Sequence, residues 1–271
     1  MTSRAPRFFA DVALASGTSL LLPESAARHV QVLRLQPGDA LSLFSGLGPE
    51  GEFEATVERM GRNDVQVMVG AFTPTARENR LPVHLVLSMP ANDRMDWLIE
   101  KATELGAASI QPLVSERSVL RLKSDRADKK VARWIGIAQA ACEQSGRNRV
   151  PIIHEVRQLE DWLDDPEGGA QSAAGSLRLL LSLAPGSRPL AHALGSSDAL
   201  AASFVFLSGP EGGLTTTEEN AALRAGFQPV TLGPRVLRAE TAPLACLSLL
   251  GLMNPEPTVL TSPDEPCRTP G

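Results

Sequence analysis

Two short glycine-bearing strings are where this sequence could do chemistry with its own backbone. The first is Leu207-Ser208-Gly209-Pro210-Glu211-Gly212-Gly213-Leu214, and the second is Leu232-Gly233-Pro234-Arg235-Val236-Leu237-Arg238-Ala239-Glu240-Thr241. Glycine lets a main chain come close to a ligand, and proline fixes the turn around it. Each string follows an apolar run that reads as a strand and precedes a helical pattern. That puts it at the carboxyl end of a strand, where open α/β sheets bind ligands. A tight strand-to-helix turn with no ligand would use the same residue types, so spacing alone leaves both readings open. Exclusion narrows the chemistry. Neither string continues into Gly-Lys-Ser/Thr and neither is a GxGxxG, which argues against a nucleoside triphosphate or a Rossmann-bound dinucleotide. No cluster of His, Cys and carboxylates has metal-ligand spacing, so no metal is expected. Cys142, Cys246 and Cys267 are widely spaced, odd in number and without a CxxC pairing. They indicate no disulfide framework and fit a reducing cytoplasm.

The elements that must position these strings can be read from periodicity. The chain has 271 residues, 43% apolar and 21% charged, the balance of a globular protein large enough for one or two domains. Its first part is β-rich: Arg7 to Val12, Asp39 to Ser45, Glu52 to Met60 and Val65 to Gly70 are short apolar segments separated by turn signals, with one helix expected at Glu24 to Leu35. This predicts a small barrel over residues 1–72. Phe72 to Pro82, proline- and arginine-bearing with little to bury, reads as a linker. Strands and helices alternate thereafter. Strands are expected at Leu81 to Met89, Ser109 to Val114, Val150 to Val156, Leu177 to Leu183, Ser203 to Ser208 and Gln228 to Leu232. The helices between and after them are Asp93 to Leu105, Asp125 to Ser145, Leu159 to Leu163, a segment capped by Thr216 and Glu219, and Thr241 to Met253. Such alternation implies a mostly parallel sheet with helices on both faces, in a second domain over residues 73–253. The tail over 254–271, rich in proline, is expected to be disordered.

Charge points two ways. The net charge of −5 would not draw the whole protein to nucleic acid. Locally, Glu116 to Arg149 carries nine basic residues against four acidic ones. A solvated helix face or an anionic partner would each account for that. No apolar run is long enough for a signal peptide core or a membrane span, so no membrane partner is expected.

Beyond generic spacing, four strings in order resemble one family. They are Glu100-Lys-Ala-Thr-Glu-Leu-Gly106, Cys142-Glu-Gln-Ser-Gly-Arg-Asn-Arg-Val-Pro151, Gly209-Pro-Glu-Gly-Gly213 and Leu232-Gly-Pro-Arg-Val-Leu-Arg-Ala-Glu-Thr-Ala242. Together with Arg28-His29, Val32-Leu33-Arg34-Leu35 and Gly38-Asp39, they resemble the RsmE family of bacterial 16S rRNA uridine N3-methyltransferases. The resemblance covers nearly everything except the tail and Asp164 to Gly175. It implies an α/β protein with an N-terminal PUA-like RNA-binding barrel and a C-terminal SPOUT domain, whose parallel sheet ends in a trefoil knot. It also implies a homodimer acting on the small ribosomal subunit. The knot is owed to the resemblance alone, since pattern reasoning disfavours threaded chains. S-adenosylmethionine is the implied cofactor, held at Leu207, Gly209, Glu211, Gly212, Leu232, Gly233, Val236, Leu237 and Arg238. An adenine and a sulfonium need apolar walls and backbone groups and bring no phosphate to neutralise, which agrees with the missing lysine. Glu211 could instead cap or turn its loop.

Methylating uracil N3 requires loss of a weakly acidic proton, hence a base or a cation that stabilises the anion. Arginine suits the second role. Arg238, with Arg147 or Arg149, is expected to hold the target nucleotide, while Glu240 is a nearby carboxylate that could equally pair with an arginine. RNA phosphate contacts are expected from Arg7, Arg28, Arg34, Arg121, Lys123 and Arg126, with His29 as a further RNA-facing group. A ribose 2′-O-methyltransferase and a non-catalytic RNA-binding assembly factor are the competing readings.

Overall fold

The structure is a computed structural model that describes residues 5–119, 124–165, 175–197 and 201–253. The expected disordered tail, Arg121, Lys123 and most of the Asp164 to Gly175 stretch lie outside the described residues.

The amino-terminal part contains β1 (Arg7–Phe9), β2 (Ser19–Leu21), α1 (Glu24–Val32), β3 (Ala40–Phe44), β4 (Gly51–Met60) and β5 (Val65–Pro74). The strands form one sheet in the order β1-β3-β4-β5-β2, antiparallel except where β1 runs parallel to β3. Alternation makes one face of β4 and β5 apolar, and Ala55, Val57, Val65, Val67 and Val69 pack there with Phe8, Leu41 and Leu43 beneath Ala26, Ala27 and Val30 of α1. The helix stops at Val32, short of the expected Leu35, because Arg34 takes a left-handed φ of 58°.

The stretch expected to be a linker is fastened down. β5 runs on to Pro74. Arg77 then donates to the Gly146 carbonyl at 2.7 Å, Glu78 pairs with Arg147, and Asn79 donates to the Gly106 carbonyl at 3.1 Å. Polarity marked this segment as surface, and its charged groups instead found fixed partners across the junction.

The larger part alternates as expected. It comprises β6 (Val83–Ser88), α2 (Asn92–Glu104), β7 (Ser109–Val114), α3 (Ser124–Ser145), β8 (Ile152–Ile153), β9 (Arg157–Gln158), α4 (Leu159–Asp164), β10 (Ser176–Leu181), β11 (Arg188–Pro189), α5 (Leu190–Ser197), β12 (Ser203–Ser208), α6 (Thr216–Arg224), β13 (Gln228–Thr231) and α7 (Thr241–Met253). Every pairing in the sheet is parallel, in the order β11-β13-β10-β12-β6-β7-β8, with β9 also on β7. Both faces are covered. Successive residues of β12 go to opposite sides: Phe204 and Phe206 join Leu85, Leu87, Met95, Leu98, Trp134 and Leu247 on one, and Val205 and Leu207 join Trp162, Leu180 and Phe227 on the other. Each such side chain fully removed from water stabilises the fold by roughly 1.5–3 kcal/mol. This two-sided core makes β12 a rigid central post, and the first glycine string hangs from its end.

Candidate active-site cleft

The carboxyl ends of three adjacent parallel strands, β12, β10 and β13, open onto one cleft of about 600 Å³. Leu181, Leu183, Leu214, Leu232, Val236 and Leu237 give it apolar walls. Polar groups come from the main chain of the two glycine strings and from Arg94, Ser182, Glu219, Arg235 and Arg238.

The first string turns tightly enough that a side chain cannot be added at Gly209. A Cβ there would sit 2.8 Å from the Leu214 nitrogen and 3.0 Å from the Gly213 carbonyl carbon. Gly213 closes the turn at a φ of +68°, its amide donating to the Pro210 carbonyl at 2.8 Å. Arg117, from the loop after β7, donates to the Gly212 carbonyl at 2.8 Å and holds the string from outside. The following helix starts with a capping box, one residue earlier than expected. Thr215 accepts from the Glu218 amide at 3.3 Å and Glu218 accepts from the Thr215 amide at 2.8 Å. Its carboxylate also accepts from the Glu116 amide at 2.8 Å, so two loops share one cap.

The second string turns at Gly233, φ +101°, and its Arg238 carbonyl accepts from the amides of Thr241 and Ala242, which starts α7. The Arg238 and Arg235 side chains are exposed on the cleft and form no ion pair with any described residue. Glu211 is fixed: its carboxylate accepts from the Ala91 amide and from Arg94, each at 3.2 Å. Glu240 lies against Arg94 too, with 3.8 Å between Oε1 and Nε.

Of the residues expected to hold the cofactor, Gly209, Glu211, Leu232, Val236, Leu237 and Arg238 line the cleft together. Leu207 is wholly buried beneath it, and Gly212 and Gly233 shape its loops without lining it. Sequence reasoning missed the third strand end, Leu181 to Ala184, and it missed Arg94 and Arg235. The apolar run leading to Leu183 was a legible strand, but no glycine marked its end as ligand-facing.

Arg147 and Arg149 are not brought to Arg238. They flank a separate cleft at the opposite, amino-terminal ends of β6 and β7, with Pro82 and Ala108. Arg147 is 4% exposed and committed, donating to the Thr103 carbonyl at 2.8 Å, the Ala107 carbonyl at 3.0 Å and Glu78. Arg149 is exposed beside the loop containing Gly48. Arg7, expected on RNA, is also buried. It donates to Glu52 at 2.8 Å, the Cys142 carbonyl at 2.8 Å and Asn148 Oδ1 at 2.7 Å, and stacks over Phe44. Arg28, Arg34 and Arg126 are exposed. His29 is half-exposed and sits 3.0 Å from Glu143 of α3, edge-on to Phe8.

The groups with perturbed titration stand away from the cleft. Burial, with repulsion from His154, holds His84 below its usual value, and burial pushes the thiols of Cys142 and Cys246 up to about 12. Both thiols therefore stay protonated near neutrality and are poor nucleophiles. Among the described residues, no group of three or more His, Cys, Asp or Glu could hold a metal ion, and no helix is long and apolar enough to cross a membrane. An apolar cleft with backbone donors and no phosphate-binding lysine suits a nucleoside carrying a cationic sulfur, and it matches the donor chemistry S-adenosylmethionine requires.

Known proteins share this arrangement. A family model described as an RNA methyltransferase domain matches residues 77–251, and one described as an RNA methyltransferase PUA domain matches residues 22–69. The Ribosomal RNA small subunit methyltransferase E of Bacillus subtilis is 34% identical over 227 residues, 84% of this chain and 87% of that protein. The crystal structure of the Neisseria gonorrhoeae Ribosomal RNA small subunit methyltransferase E, bound to S-adenosyl methionine, superposes with a TM-score of 0.82 at 36% identity, covering 92% of this chain and 98% of that one. A Legionella pneumophila structure in complex with the bound cofactor SAM superposes with a TM-score of 0.83 at 32% identity, covering 93% and 98%.

Proposed function

The chain belongs to the ribosomal RNA small subunit methyltransferase E family, RsmE, and on that premise we propose that it transfers a methyl group from S-adenosylmethionine to N3 of a uridine in 16S rRNA. The observation that carries the proposal is the cleft at the ends of β10, β12 and β13, built by both glycine strings. When bound, the cofactor supplies a methyl group on an electrophilic sulfonium. The chain supplies position and electrostatics, the main sources of acceleration for an in-line displacement. Leu232, Val236 and Leu237 give the adenosine an apolar seat, and the backbone at Gly209, Gly212 and Gly233 shapes the approach. Leu207 supports that seat from below, and Glu211 fixes the first loop rather than touching the cofactor.

Arg238 is the cation for the acceptor base. It is exposed on the cleft without an ion pair to any described residue, so its guanidinium is free to stabilise the negative charge on the uracil oxygens when N3 gives its proton to solvent and its lone pair takes the methyl group. The committed hydrogen bonds of Arg147 argue for a role in holding the fold, and the placement of Arg149 on the other cleft argues against its taking part in catalysis within one chain. The exposed Arg28, Arg34, Arg126 and His29 are suited to RNA phosphates, as are Arg121 and Lys123 by residue type. The family also implies a PUA-like barrel for the five-stranded part and a trefoil knot. The knot is supported by the insertion of β12 between β6 and β10 and by the packing of α7, which follows the outlying β13, against α2 and β12. A homodimer acting in the cytoplasm on the small subunit completes the reading.

The test is to incubate the purified chain with S-adenosylmethionine and small ribosomal subunits lacking the modification, then digest the RNA and identify the new nucleoside by mass spectrometry. N3-methyluridine is expected. A 2′-O-methylated nucleoside would mean a ribose methyltransferase, and cofactor binding without any transfer would mean a non-catalytic assembly factor.

A further inference from the structure

The two glycine strings leave the sheet from different strand ends, and nothing in their own sequences holds one against the other. Among the described residues, no hydrogen bond or ion pair runs directly between loop 209–214 and loop 233–240. What they share is Arg94, in the first turn of α2. Its Nη1 lies 3.2 Å from Oε1 of Glu211 on the first loop, and its Nε lies 3.8 Å from Oε1 of Glu240 at the end of the second. The Ala91 amide, just ahead of the same helix, donates to Glu211 as well. We propose that Arg94 is a positioning residue: a single guanidinium that draws one carboxylate from each loop and so keeps the cofactor cleft closed to its working width.

Burial gives this arrangement its force. Glu240 is 8% exposed, and its Oε2 is buried with no hydrogen-bond partner among the described residues. A carboxylate taken that far out of water is tolerated only beside a cation. Arg94 is that cation, and it also lines the cleft wall. Take it away and two carboxylates remain around the vacated guanidinium position, one of them largely desolvated. The loops are then pushed apart, and each carries main-chain groups that the cofactor reading uses. Glu240 does not itself line the cleft, whereas Arg94, its cationic neighbour, does.

The inference rests on the cofactor reading above, and calorimetric titration of the full chain with S-adenosylmethionine separates the two. R94Q, uncharged and close in shape, should weaken binding by about tenfold or more, the scale expected when one partner of a partly buried charge pair is removed. E240Q alone should also weaken binding. Placed on the R94Q background, E240Q should instead recover part of the lost affinity, because it removes the repulsion that R94Q exposes. R94K should bind better than R94Q. A purely space-filling role for Arg94 gives no such reversal of sign. If R94Q binds like the unaltered chain, or if E240Q adds its loss to that of R94Q, the clamp is wrong. Should R94Q not fold, E240Q alone decides, and unchanged affinity there overturns the clamp. An unaltered chain that takes up no S-adenosylmethionine would overturn the cofactor reading, and the clamp with it.

Discussion

Arginine carries most of the meaning in this molecule, and three environments divide its work. Arg235 and Arg238 form no ion pair with any described residue and are exposed on the cleft, Arg94 is shared between carboxylates, and Arg7 and Arg147 are buried cations that donate to carbonyl and carboxylate partners. Sequence could identify the residue type but not the environment. Arg7 finds its partners at Cys142, Asn148 and Glu52, far along the chain, and no local pattern announces that. Replacing Arg7 with Ala should therefore destabilise the protein by about 1–3 kcal/mol, since it leaves the buried Cys142 and Arg147 carbonyls and the Asn148 side chain without the donor they share. Urea unfolding would measure the loss, and a variant of normal stability with impaired RNA binding would restore the surface role first expected. Glu211 shows the opposite case. A carboxylate in a glycine-rich turn suggested either a ligand contact or a loop brace, and the bonds to Ala91 and Arg94 give it bracing partners while it still lines the cleft.

At the scale of elements, periodicity was a good guide wherever an element has one strongly apolar face. β7, β12 and α7 run over the residues expected from their patterns. The failures were short or locally ambiguous. β2 is three residues long and β11 two, too few to show alternation, and α5 follows a Gly-Ser-Arg-Pro stretch that reads as loop. In Thr215-Thr216-Thr217 any residue could cap, and the choice of Thr215 is made by Glu218, whose carboxylate also holds the Glu116 amide. The first glycine string was legible as a turn at a strand end, it lines the cleft, and its geometry says why Gly209 must stay glycine. Gly209→Ala would drive a Cβ into the Leu214 and Gly213 backbone, costing about 1–3 kcal/mol in loop strain. Binding of S-adenosylmethionine should fall by about tenfold or more with the fold retained. Unchanged affinity in that variant would mean that the cofactor does not depend on this turn.

The whole molecule joins an antiparallel five-stranded sheet to an all-parallel one through buried arginines and a fastened connection, so the amino-terminal part is held in a fixed relation to α3. The order of strands in the parallel sheet was not legible, because periodicity reports which face a strand buries and not which neighbour it takes. Subunit association is likewise a property of surfaces. α7 exposes Leu252 at 86% and Met253 at 52%, and α2, packed against it, exposes Trp97 at 45%. Exposed apolar side chains on two neighbouring helices are suited to a second copy. The proposed homodimer should scatter light with twice the mass of the chain at micromolar concentration, and Leu252→Asp should shift it toward monomer. A monomer of the unaltered chain would remove that part of the reading. The central claim, however, is the reaction. Deleting the gene and mapping 16S rRNA modifications should reveal one uridine that has lost its N3 methyl group and regains it when the intact gene is returned, whereas full retention of every uridine N3 methyl mark in the deletion strain would contradict the assignment.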